Sequence, residues 1–183
     1  MWPLIDSVEG FLVSPDQERW LFRTARSLPG EGNIVEVGSF KGRSTCCLAY
    51  GCLGSKRTVF AVDTFNGNAV DFDHRDFFED FRRNIEERGL ARYVQPLRGQ
   101  SVDIAKRWRR PIHFLFIDGS HQYEDVLHDF QAFFPYVVPN GVVALHDVVE
   151  TWQGPLRAWH EVVKHQLHRI GACSTLAFGW KGR

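Results

Sequence analysis

A chain of 183 residues with 22 acidic and 22 basic side chains is long enough for one domain with a substantial core, and its even charge gives no global field to draw it to nucleic acid or an anionic membrane. No apolar run reaches the length of a membrane span, and the start Met1-Trp2-Pro3-Leu4-Ile5-Asp6 lacks the basic residues and long apolar centre of a secretory leader. Cys46, Cys47 and Cys52 share one helical stretch without Cys-x-x-Cys spacing and Cys173 stands apart, so all read as reduced core thiols of a cytoplasmic protein rather than as disulfides or a zinc site.

Ser14-Pro15-Asp16-Gln17 opens the first predicted helix: serine caps, proline occupies the first turn, and glutamine three residues on can return the capping bond. This helix runs to Leu28 and stops at Pro29-Gly30, which makes residues 1–31 a helical cap ahead of a 32–183 domain. Strand 34–38 then leads into a helix near 42–53, and Thr58 to Val62 is a β-rich run closed by Asp63. Asn66 to His74 is polar and long enough for a lid, while Trp2, Phe11 and Trp20 read as packing of the first helix on the sheet. Phe77, Phe81 and Ile85 mark one helix face by their spacing of four. Tyr93 to Leu97 is a short strand whose Pro96 argues against a central place. A helix near 101–108 follows, and the basic run Lys106 to Arg110 reads as its solvated end. Ile112 to Ile117 is nearly all apolar, as a strand covered on both faces should be. Tyr123, Val126, Leu127, Phe130 and Phe134 form a helical stripe, and Pro139-Asn140-Gly141 turns into strand 142–145. A helix over 154–166 and two strands near 167–171 and 174–180, divided by Gly171, complete the chain. Such alternation predicts a doubly wound α/β fold with a mostly parallel, Rossmann-like sheet and an antiparallel C-terminal hairpin.

In a sheet of this kind ligands bind beyond the carboxyl ends of the strands. The residues there are Glu36 and Gly38, then Asp63, then Gly99-Gln100-Ser101, then Asp118, then His146-Asp147. The glycine loop fails both phosphate-binding patterns. A dinucleotide fingerprint from Gly38 needs glycine at the positions held by Phe40 and Arg43, and a phosphate loop needs one more residue before its second glycine and then lysine. An acid beside the loop instead suits a cationic or amino-bearing ligand. Asp63 stands where a nucleoside fold places its ribose acid, or else caps the turn at Thr64-Phe65. So many carboxylates in one crevice repel each other unless a cation, or a ligand rich in hydroxyl and amino groups, relieves them. Asp118, His121, His146 and Asp147 sit on neighbouring strand ends and can converge. Asp118, His146 and Asp147 have the donor atoms for Mg²⁺ or a similar ion, and His121, His146 and Asp118 are candidates for acid–base work. The remaining histidines show no ligand spacing and read as surface or structural.

The run Glu36-x-Gly38-x-x-x-Gly42-x-Ser44 resembles the first motif of class I S-adenosylmethionine (SAM) methyltransferases. With Ala61 to Phe65, Arg98 to Ser101, Asp118-Gly119-Ser120-His121-Gln122-Tyr123 and Gly141 to Asp147 in the same order, residues 32–181 are similar to methyltransferase family 24, the small enzymes related to macrolide- and cephalosporin-tailoring O-methyltransferases. The resemblance implies a seven-stranded sheet with its last strand antiparallel. It implies SAM as donor and S-adenosylhomocysteine (SAH) as product. Cofactor contacts would come from Glu36 and Gly38 near the methionine moiety, Asp63 on the ribose, and Gln100 and Ser101 near the adenine, with Ser39, Phe40, Ser44 and Thr64 as further contacts and Asp118 facing the reaction centre. The expected acceptor is a hydroxyl on a sugar or other small natural product. Metal-dependent relatives carry paired acids, or an acid with asparagine, where this chain has His146-Asp147, and Phe40 replaces a glycine common in the first motif. Two other chemistries stay open: a metal-dependent hydrolase built on Asp118, His121, His146 and Asp147, and a nicotinamide-dependent oxidoreductase. Small methyltransferases of this kind often associate, so a homo-oligomer is open as well.

Overall fold

The structure, a computed structural model, describes residues 6–10, 14–67 and 75–182. Most of the expected lid, residues 68–74, lies outside them, as do Trp2 and Phe11. Among the described residues, β1 (Asn33–Val37), β2 (Val59–Asp63), β3 (Val94–Arg98), β4 (Ile112–Ile117) and β5 (Val137–Leu145) are parallel. A hairpin of β6 (Leu167–Cys173) and β7 (Leu176–Lys181) completes a seven-stranded sheet of order β3-β2-β1-β4-β5-β7-β6, with β7 antiparallel to both neighbours. The expected architecture is the observed one. Inserting an antiparallel β7 between β5 and β6 also departs from the 3-2-1-4-5-6 order of nicotinamide-binding sheets.

Helices α1 (Pro15–Ser27), α2 (Arg43–Gly51) and α3 (Phe78–Glu87) cover one face. Helices α4 (Ser101–Lys106), α5 (Tyr123–Phe133) and α6 (Gln153–Glu161) cover the other. β4 shows why its sequence is almost wholly apolar. Phe114 and Phe116 enter the core beneath α1 and α2, while Leu115 and Ile117 point the opposite way into the core of Val126 and Phe130. β3 is an edge strand, where the missing N–H of Pro96 is tolerated.

Three local expectations are corrected. Pro139-Asn140-Gly141 does not precede a strand but lies inside β5, as a bulge: Ile112 pairs with Val137 and Phe114 with Val142, so five steps along β5 match two along β4. Gly171 does not turn the hairpin. It lies within β6 opposite Phe178, where an added Cβ would come within 2.8 Å of the Phe178 ring, so the glycine makes room for an aromatic rather than reversing the chain. The reversal falls at Ser174-Thr175, with Ser174 at φ 54°. The expected 154–166 helix ends as α6 at Glu161, and a short 3-10 turn covers Val163–Gln166.

Candidate active site

The carboxyl ends of β1 and β4 nearly touch. A Cβ on Gly38 would lie 2.1 Å from the Asp118 carbonyl oxygen, and Gly38 has φ 87°, so position 38 excludes any side chain on two independent grounds. The loop after β1 is clamped from β2. Asp63 Oδ2 accepts the Ser39 N–H at 2.7 Å and the Phe40 N–H at 2.8 Å, while Oδ1 accepts the Phe65 N–H at 2.7 Å. One carboxylate therefore both caps its own turn and clamps the loop after β1. Phe40 holds the left-handed φ of 46° that a glycine would favour, and its ring packs edge-on against Phe77 at 4.7 Å.

Glu36 lies beneath this loop with 0% exposure. Its Oε2 accepts the Ser39 hydroxyl at 2.7 Å and the Thr45 hydroxyl. Burial pushes its carboxyl up to about 7, against the hydroxyl hydrogen bonds that favour the charged form.

A cavity of about 920 Å³ opens over the strand ends. Of the residues expected at a cofactor, Gly38, Ser39, Phe40, Ser44, Asp63 and Thr64 line one side. Gln100 and Ser101 line the end beyond β3, and Asp118, His121 and Asp147 line the side beyond β4 and β5. Glu36 and His146 do not reach the cavity: each lies behind the residue that does.

The second wall is held by side chains. Asp147 has φ 54°, a left-handed turn directly after β5 that is costly for a non-glycine residue and recurs at functional sites. His121 Nε2 lies 3.1 Å from Asp147 Oδ2, and its ring stacks on Trp152 with centroids 3.8 Å apart and planes 20° apart. His146, 3% exposed, turns Nδ1 between Asp118 Oδ1 at 2.9 Å and Asp147 Oδ2 at 3.0 Å. Burial opposes a charged His146 ring, but the two carboxylates outweigh it and push the ring up to about 10. Burial likewise opposes a charged Asp147, yet the two imidazoles hold its carboxyl well below the usual range.

The same atoms meet the test for a divalent ion. Asp118, His146 and Asp147 bring two carboxylate oxygens and one ring nitrogen within 4.8 Å of one another. His146 Nδ1 is buried and, despite the short separations, has no in-line hydrogen-bond partner. Oxygen-rich donors with one imidazole suit Mg²⁺ or Mn²⁺, and separations near 3 Å match adjacent corners of an octahedron of radius about 2.1 Å. The donor set fits.

Sequence reasoning overlooked four residues. Trp152 precedes α6 and carried no motif. Asp129 sits in the apolar stripe of α5, accepts the Ser101 hydroxyl and is pushed by burial up to about 6; an acid beside Phe130 was a signal that could have been read. Thr175 lies in the hairpin turn. Gln17 was read only as a capping residue, yet it is fully buried and its amide lies 3.3 Å from His146 Nε2.

A family model described as a methyltransferase domain, number 24 of its kind, matches residues 35–148. Over 143 residues, 70% of the chain, the sequence is 31% identical to the uncharacterized protein y4gI of Sinorhizobium fredii, and this match spans 15% of that much longer protein. Among solved structures, the chain is similar to the O-methyltransferase from Bacillus cereus in complex with SAH, with TM-score 0.71, 22% identity, and coverage of 96% of this chain and 86% of that one. It is also similar to the O-methyltransferase TomG from Streptomyces achromogenes, involved in tomaymycin synthesis and solved with SAM, with TM-score 0.72, 20% identity, and coverage of 93% and 82%. These structural likenesses establish the fold.

Proposed function

The chain belongs to the methyltransferase domain family, and from that premise we propose that it transfers the methyl group of SAM to a hydroxyl of a small molecule, releasing SAH. The observation that carries this reading is one cavity with two unlike walls: a backbone loop clamped by Asp63 on one side and the His121–Asp147 pair on the other. SAM lies along the first wall. Ser39, Phe40 and Ser44 face its methionine end, Asp63 and Thr64 its ribose, and Gln100 with Ser101 its adenine. Glu36 acts from beneath, by holding the Ser39 hydroxyl.

The acceptor lies along the second wall. Its oxygen attacks the methyl carbon in line, a C–O bond forms, the C–S bond breaks, and the sulfonium leaves as a neutral thioether. The acceptor's proton goes to the His121–Asp147 pair, whose imidazole is held by its stack on Trp152. Asp118 closes the site below the reacting atoms, and His146 balances the charge of Asp118 and Asp147. A divalent ion held by Asp118, His146 and Asp147 would supply Lewis acidity that lowers the pKa of the acceptor hydroxyl. The involvement of TomG in tomaymycin synthesis supports a natural product or its sugar as acceptor. Four free cysteines, three of them buried, support a reducing compartment such as the cytoplasm.

Calorimetry with SAM, SAH and NAD tests the reading. SAM and SAH are expected to bind at one site and NAD not to bind. Heat from NAD alone, or from none of the three, removes the proposal.

A further inference from the structure

A buried polar chain links the N-terminal helix to His146, and the chemistry above leaves it without a role. Gln17 is the third residue of α1 and 0% exposed. Its Oε1 accepts the Ser14 N–H at 3.3 Å, and this bond decides which end of the amide faces inward. The inward Nε2 donates to Thr175 Oγ1 at 2.6 Å and lies 3.3 Å from His146 Nε2. Thr175 Oγ1 lies 3.2 Å from the same ring nitrogen. The Thr175 carbonyl also accepts the Val148 N–H at 3.0 Å, which ties the hairpin turn to the segment just after Asp147.

We infer that Gln17 and Thr175 are positioning residues that hold the His146 ring with Nδ1 turned between Asp118 and Asp147. A half-turn of the ring would put carbon against both carboxylates and carbon against the threonine hydroxyl. The two ring nitrogens would then lose the carboxylates at one end and the threonine hydroxyl at the other in a buried setting, which costs about 1–3 kcal/mol for each. One nitrogen of a functional imidazole is commonly oriented through the hydrogen bond made by the other. Here that second bond is made with Thr175 Oγ1 in the β6–β7 turn, an oxygen that α1 in turn fixes through the Gln17 amide, so two elements remote in sequence set it. Whatever Nδ1 carries toward the acids, a proton or a cation, its direction is set from behind. The inference rests on the methyltransferase reading for the use made of the second wall, but the ring's orientation can be tested without it.

Nitrogen-15 NMR of the histidine rings in the full chain, with SAH titrated in parallel, is the experiment. The wild type should give one sharp set of His146 ring signals. Thr175→Val, similar in volume but without the hydroxyl, should double or broaden them. Gln17→Leu should do the same, and Thr175→Ser should restore the single set. SAH affinity should stay within about threefold of wild type in all three variants. Thr175→Val carries the test alone if Gln17→Leu, which also loses the capping bond, does not fold. Wild-type-like ring signals in Thr175→Val overturn the inference. So does a fall in SAH affinity that accompanies the ring changes, since the pair would then be merely structural. A wild type that ignores SAH while its ring signals still respond to Thr175→Val breaks the methyltransferase reading and leaves this one standing.

Discussion

Asp63 ends β2 and Asp147 lies two residues beyond β5, both at the carboxyl edge of the sheet and both lining the same cavity, yet they are held in opposite ways. Asp63 meets three backbone N–H groups, all from its own turn or from the loop after β1. Asp147 meets two imidazoles, one before α5 and one beside it on the chain. The first arrangement is fixed once β1 and β2 pair. The second needs the whole sheet, the hairpin and α1 to be in place. One wall of the crevice is therefore a backbone device and the other a side-chain device, and substitutions should separate them.

The largest effect is expected where the two walls touch. Gly38→Ala places a Cβ on the Asp118 carbonyl and demands a left-handed φ of a non-glycine residue. Strain and overpacking together should cost about 3–5 kcal/mol, read by urea unfolding, and should abolish SAH binding with it. A variant of wild-type stability would mean that the approach of β1 to β4 is looser than this geometry.

Next comes the matched pair that compares the walls directly. Asp63→Asn keeps the shape but turns an amide against backbone N–H donors, so SAH affinity should fall about 30-fold as the loop loses its clamp. Asp147→Asn should leave SAH affinity within about threefold and lower turnover of an identified acceptor about 100-fold, because it disorients His121 and His146 rather than the loop. Equal losses of affinity in the two variants would erase the distinction between backbone and side-chain walls.

That distinction also explains how much of the molecule was legible in its sequence. The first wall depends on short-range order. Glu36, Gly38 and Asp63 could be placed from the apolar runs around them, because the end of a strand fixes the position of its last residues at the crevice. Asp118, His121, His146 and Asp147 were legible for the same reason, as residues just beyond β4 and β5. The residues that escaped were those supplied from a distance. Gln17 satisfies a capping pattern completely, so nothing in the sequence asks for a second role. Thr175 could not be placed while Gly171 stood as the apparent turn. The bulge in β5 was hidden because Pro139-Asn140-Gly141 has the composition of a turn, and only pairing with β4 distinguishes the two.

The smallest expected effect tests whether the first wall is as self-contained as its hydrogen bonds imply. Glu36 is buried under the loop, its Oε1 has no hydrogen-bond partner, and nearby Asp118 adds a repulsive charge. Its carboxyl is raised from an ordinary 4.5 to about 7. Between these values the folded chain keeps a proton that the unfolded chain has released. Its contribution to stability is therefore complete below pH 4.5 and is lost as pH rises through 7. Linkage makes the loss between pH 6 and pH 7 about 1 kcal/mol. Asp129 and His146, also raised, tilt the curve the same way, so the informative quantity is the difference between wild type and the Glu36→Gln variant, in which position 36 cannot ionise. Urea unfolding at the two pH values should show the variant losing about 1 kcal/mol less than wild type. Identical losses would mean that Glu36 is already charged at pH 6, held so by Ser39 and Thr45, and that the loop rests on a buried carboxylate rather than on a neutral acid.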